Sequence, residues 1–170
     1  MPSETLATDA QSRTSPVLDS TLMSMREVEL HRLIRSDRSP ECQLYLKEKL
    51  GERVFPVIIH QTEMAEIHRK VLGESFRRPM THDLIASIVK ASGLTLANIH
   101  ITKLEDAIFF AQMNFEAEDG RAFSVDARPS DAVAVATGMG APIFAAESIL
   151  ASIGQVESEE SAGPPEATDD

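Results

Sequence analysis

The order of hydrophobic periodicities along this chain restricts its fold more than any other feature. From Met25 to Ile59 apolar residues recur with period two. From Thr62 to Gly93 they recur at helical spacing, and from Leu94 to Asp126 period two returns. Strands grouped first, then two helices, then strands again predict an α+β fold in place of a βαβ repeat. The first block (Val28 and Leu30; Cys42, Leu44 and Leu46; then the nearly continuous run Val54 to Ile59) predicts a three-stranded antiparallel meander. Its turns fall at Ser36 to Pro40 and at Gly51-Glu52. The run Val54 to Ile59 reads as a strand covered on both faces, and Cys42 reads as a small buried filler.

The helical block holds two elements. Thr62 is the expected N-cap of the first, Glu63 and Glu66 suit its first turn, and Gly73 is its stop. Thr81 is the expected N-cap of the second, with Asp83 in the first turn, a buried stripe of Leu84, Ile85, Ile88 and Val89, and a stop at Gly93. In the third block Phe109, Ala111, Met113 and Phe115 share one face, and Glu118-Asp119-Gly120 turns the chain into Phe123 and Val125. A narrow helix of small residues (Ala132 to Gly138), a short strand at Pro142-Ile143-Phe144 and a last helix from Ala146 to Ile153 complete the pattern. The whole is one compact α+β domain over residues 25–156, with a mixed or antiparallel sheet and three to four short helices. Residues 1–24 and 157–170 are polar or acidic and aperiodic, which predicts disordered tails.

Charge and cysteine usage narrow the function. The net charge of −11 argues at first sight against a nucleic-acid partner. Six acids fall after Val156 with no Lys or Arg among them, and residues 1–25 hold three acids against Arg13, so the stretch between carries only −3. One cysteine excludes an internal disulfide, and no apolar run reaches the roughly 18–20 residues of a membrane span. The expectation is a cytoplasmic protein that makes no membrane contact. The chain has no Gly-rich phosphate loop, no Cys/His zinc spacing and no G-x-S-x-G elbow.

Two stretches carry the polar chemistry. Asp126 to Ala132, D-A-R-P-S-D-A, joins a strand to the small-residue helix. Arg128 sits between the carboxylates of Asp126 and Asp131, Pro129 presets the first helical turn, and Ser130 or Asp131 can accept from its open N–H groups. Arg78 to Leu84, R-P-M-T-H-D-L, gathers Arg78, His82 and Asp83 around another helix start, where the dipole suits an anion. If these corners meet the start of the first helix, Glu63, Asp126 and Asp131 supply oxygen ligands for Mg²⁺ or Mn²⁺. His82 and Asp83 add an imidazole and a carboxylate, and Arg78 and Arg128 face a phosphate. A metal-assisted phosphodiesterase follows, with His82 as general acid or base. The competing reading is a non-catalytic interaction module in which the same groups form a buried ion-pair network.

With both motifs in hand, the chain resembles the bifunctional nuclease family, whose pattern runs R-P-x-T-H-D-L and, some forty residues on, D-A-R-P-S-D-A. The resemblance covers about residues 27–155. It implies a compact α+β domain with a mixed sheet, self-association, and nuclease activity on RNA and DNA. A third family segment, I-G-x-x-E-A, departs here. Ile59 to Met64 keeps Glu63 but places His60 where glycine is usual and Met64 where alanine is usual.

Overall fold

A computed structural model describes residues 24–35 and 39–156; the predicted tails, apart from Ser24, and residues 36–38 of the Ser36 to Pro40 turn lie outside the described residues. The meander forms as the alternation requires: β1 (Met25–Arg35), β2 (Glu41–Glu48) and β3 (Arg53–His60) pair antiparallel in sequence. On β2 every second residue, Cys42, Leu44 and Leu46, is buried. β3 departs from the expected double cover at Ile58, which stays 55% exposed between buried Val57 and Ile59. The helical block gives α1 (Gln61–Val71) and α2 (Thr81–Ala91). Then follow β4 (Leu94–Glu105), β5 (Ile108–Ala117) and β6 (Ala122–Ala127), α3 (Pro129–Met139), β7 (Ile143–Ala146), α4 (Glu147–Ile153) and a two-residue β8 (Gln155–Val156) that periodicity does not signal.

The eight strands among the described residues make one sheet in the order β6-β5-β4-β7-β1-β2-β3-β8. Every neighbouring pair is antiparallel except β4 with β7, which makes the sheet mixed. The sheet also coils. β4 carries two bulges against β5, which bend and twist a strand. The rings of Phe55 on β3 and Phe109 on β5 come within 6.1 Å, although four strands separate them in sheet order. The tip of the β4–β5 hairpin therefore lies near the end of β3 and the start of α1.

α3 is the centre of the core. Seven of its eleven residues are buried, from Pro129 and Ser130 to Ala136, because small residues on all sides let it sink between the sheet and its neighbours. It packs on α1, α2, β4 and β5. Its last turn closes at Gly140, whose φ of +71° is the left-handed conformation a helix end favours. On α2 the expected stripe is only half right: Val89 is buried and Ile85 partly so, but Leu84 and Ile88 face outward. α2 covers the sheet with one narrow edge, and the i, i+4 pair Leu84/Ile88 lies beyond it. At the other flank Arg53 pairs with both Glu48 and Glu147, tying β3 to β2 and α4, and Glu147 is held down to about 2 by Arg53 and Arg26. Among the described residues no helix is long and apolar enough to cross a membrane.

The β4–β5 turn places two non-glycine residues, Asp106 and Ala107, at φ of 49° and 62°. Ala107 has no side-chain hydrogen bond to offset a conformation that costs an L-residue about 1–2 kcal/mol. Ala107→Gly is expected to raise the thermal midpoint by a few degrees, on the order of 0.5–1 kcal/mol after the entropy of the added glycine is allowed for. An unchanged or lower midpoint by calorimetry would show that the turn is unstrained.

Candidate functional site

The starts of α1, α2 and α3 meet, but their polar groups divide into two clusters with different character. Both helix starts are one or two residues earlier than expected. His60 caps α1 and Met80 caps α2, and neither cap uses a threonine hydroxyl. Thr62 instead donates to Glu63 Oε2 at 2.8 Å, and the Asp83 carboxylate accepts the Met80 N–H at 2.9 Å. At α3 the cap position is Arg128, and no side-chain hydrogen bond caps it; Asp131 turns toward side chains instead.

The inner cluster is buried and internally paired. Arg69 of α1 is almost inaccessible. It donates Nε to Glu66 Oε2 at 3.0 Å and Nη2 to Glu66 Oε1 at 2.6 Å and Asp83 Oδ2 at 3.0 Å, while Nη1 reaches the Glu74 carbonyl at 2.7 Å. Lys70 contacts Asp83 Oδ1 directly and lies near Glu66. The Lys70 ammonium holds the Asp83 carboxyl far below the usual range, against the opposing effect of burial and with help from the Met80 N–H and Arg69. Glu66 is also lowered, chiefly by its forked contact with Arg69. Asp83 is thus a clamp between α1 and α2, a correction to its expected place at the reacting centre.

The outer cluster opens to solvent. Arg128, with a side chain 66% exposed, grips Asp131 through Nε–Oδ2 at 2.8 Å and Nη2–Oδ1 at 3.0 Å, and reaches Glu63 Oε1 at 3.3 Å. His82 Nε2 stands 3.1 Å from Asp131 Oδ1, and its Nδ1 faces Glu66 Oε1 at 3.8 Å, so the ring bridges the two clusters. Burial pushes the Asp131 carboxyl up, but Arg128 and His82 outweigh it and the net shift is downward. The same balance lowers Glu63, with the Thr62 hydroxyl, its own backbone N–H and Arg128 against burial. These contacts raise Arg128 further, Asp131 chiefly. A cavity of about 600 Å³ runs along this cluster and is lined by Glu63, His82, Asp126, Arg128 and Asp131 over an apolar floor that includes Ile85, Met113 and Val125. Asp126, at the end of β6, is exposed and has no side-chain hydrogen bond or ion pair among the described residues.

Arg78 needs correction as well. It does not join Arg128: it is exposed in the α1–α2 link, makes no ion pair among the described residues and lies outside the cavity walls named above. Of the three expected metal ligands, Glu63 and Asp131 are ion-paired with Arg128 and Asp126 is unpaired. Among the described residues no three His, Cys, Asp or Glu side chains converge as a metal site. Conversely, the inner cluster carries little sequence signal: beyond the first-turn place of Glu66, nothing in the pattern marks Glu66, Arg69 and Lys70 as a buried set. Their spacing, i, i+3 and i, i+4 on one helix, is that of ordinary surface pairs.

The geometry of the two motifs invites comparison with known proteins. A family model described as the bifunctional nuclease domain matches residues 44–158. The chain belongs to the bifunctional nuclease domain family. Two Mycobacterium tuberculosis proteins are 39% identical to it over 118 residues, 69% of this chain and 70% of theirs: Uncharacterized protein MT1877 of strain CDC 1551 / Oshkosh and Uncharacterized protein Rv1829 of strain ATCC 25618 / H37Rv. In this bifunctional nuclease domain the matched span runs from β2 to the end of α4 and beyond, and so holds all three helix starts that build the cleft.

Proposed function

We propose that this chain hydrolyses phosphodiester bonds of RNA or DNA in the cleft at the heads of α1, α2 and α3. The observation that supports this reading is the lining of a single open cavity by an exposed guanidinium, a carboxylate-held imidazole and an unpaired carboxylate. Membership of a nuclease-named family agrees with it. Arg128 binds the phosphate through N–H groups released when Glu63, its more distant partner at 3.3 Å, gives way. Asp126 takes the proton of the attacking water as its oxygen bonds to phosphorus. His82 gives a proton to the leaving oxygen as the P–O bond breaks, and Asp131 positions the ring and offsets its positive charge. Glu63 and Asp131, two of the groups a divalent ion would use, are engaged by Arg128, and Asp126 is left free to act as the base.

The rival reading, a structural ion-pair network, fits the inner cluster of Glu66, Arg69, Lys70 and Asp83, whose members satisfy one another out of solvent. It does not describe Asp126, which pairs with nothing among the described residues. The test is cleavage of end-labelled single-stranded RNA and DNA by the full chain, run with Mg²⁺, with Mn²⁺ and with EDTA. Arg128→Ala is expected to cut kcat/KM about 100-fold, the size of losing one preorganised charge donor. Arg128→Lys should restore little of it, since the fork is lost. Cleavage equal in wild type and Arg128→Ala would end the assignment. The three salt conditions report whether a divalent ion competes with Arg128 for Glu63 and Asp131.

A further inference from the structure

Arg128 faces a second cavity on its other side. This one is smaller, about 270 Å³, and its walls include Ile58, His60, Ile108, Phe109 and Ser130 together with Glu63. Three features of the fold converge on it. Ile58 breaks the expected double cover of β3 and is 55% exposed, and Ile108, the first residue of β5, is 60% exposed. The coil of the sheet brings these two strands, distant in sheet order, to the same wall. The third is the β4–β5 turn, whose Ala107 lines the cavity with its backbone in the left-handed region, a conformation that surrounding structure must hold in place.

The lining of the cavity suits a ligand with an apolar body, polar edge atoms and an anionic group. Ile58, Ile108 and Phe109 are its apolar side chains, His60 and Ser130 its polar ones, and the Arg128 guanidinium is shared with the cleft. A nucleobase one sugar away from a phosphate held by Arg128 has this chemistry. We propose that the cavity is a base subsite, which takes a single unstacked nucleobase next to the phosphodiester in the cleft. A base inside a duplex is paired and stacked and cannot enter unless it is extruded, so the preferred substrate is single-stranded or locally unpaired nucleic acid. This rests on the phosphodiesterase reading for the identity of the phosphate, but its test requires no turnover.

The test is calorimetric titration of the full chain with adenosine 5′-monophosphate and, separately, with ribose 5-phosphate, which keeps the sugar and phosphate and lacks the base. Wild type is expected to bind the nucleotide at least about tenfold more tightly, in line with what one base contributes on an apolar or aromatic surface. The double variant Ile58→Ser/Ile108→Ser alters two exposed side chains and should keep the wild-type melting curve. In that variant the preference is expected to fall below about threefold, with ribose 5-phosphate binding unchanged. Equal affinity of wild type for the two ligands, or failure of both to bind, overturns the subsite, as does a preference that survives the double substitution. Preferential nucleotide binding by a protein that cleaves nothing would leave the subsite standing and remove only the hydrolytic reading.

Discussion

Asp83→Ala is expected to lower the stability of the folded chain by about 3 kcal/mol, the cost of leaving buried cations without their counter-ion. The clamp explains the size. Arg69 and Lys70 have side chains only 7% and 9% exposed, and Asp83 contacts both while also accepting the Met80 N–H at the head of α2. At roughly 2–4 °C per kcal/mol for a chain of this size, the thermal midpoint should fall by about 10 °C. Asp126→Ala, at an exposed and unpaired position, should leave it in place. Calorimetry of the two variants side by side checks both halves of the statement, and equal midpoints would show that the inner cluster holds nothing together. The pH dependence has a definite sign. Asp83 and Glu66 are shifted down in the folded state, so their contribution is fully present above the ordinary carboxylate range near 4 and is lost as pH falls through their lowered values. Asp83→Asn should therefore show a shallower loss of stability under acid than wild type.

His82→Ala is expected to reduce cleavage by about 10²–10⁴-fold, the range for removing a positioned proton donor or acceptor. The ring is placed by two carboxylates from different helices, Asp131 at 3.1 Å from Nε2 and Glu66 at 3.8 Å from Nδ1. Asp131→Asn keeps the shape of that contact and removes its charge. It should lower kcat more than it raises KM and should displace the acid or base limb of the pH–rate profile, which a purely structural change would not do. Circular dichroism and the melting curve establish that each variant is folded before rates are compared. A folded His82→Ala protein that cleaves at the wild-type rate would take His82 out of the reaction.

The sequence was most informative where a local rule and a global need coincide. The α3 corner is the best case: Pro129 marks the helix start, and the small residues that follow make a narrow helix that its neighbours can approach closely. The meander was equally legible because alternation and turn residues agree. The inner cluster was not. A Glu66–Arg69 pair on an amphipathic helix looks the same in sequence whether it faces water or a neighbour, and what buries it here is the approach of α3 and the head of α2. Leu84 and Ile88 mislead for the converse reason: helical spacing shows that residues share a face, and only tertiary packing decides whether that face is covered. Arg78 shares its motif with His82 and Asp83 of the clusters, but it lies in the link before the helix and faces solvent.

The one parallel pairing in the sheet has a consequence for how the cleft comes into being. β4 and β7 meet over three residue pairs, Ile99 to Ile101 with Ile143 to Ala145, and β7 is four residues long. That short seam joins the block β1-β2-β3 to the block β4-β5-β6, and each block alone is a local, quickly closed set of hairpins. Glu63 follows directly from the first block, Asp126 and Arg128 come at the end of the second, and His82 lies on the helix between them. A chain truncated just before Ile143 would therefore keep the packing of α3 on α1 and α2 that gathers the cleft residues, and would lose the strand that closes the sheet beneath them.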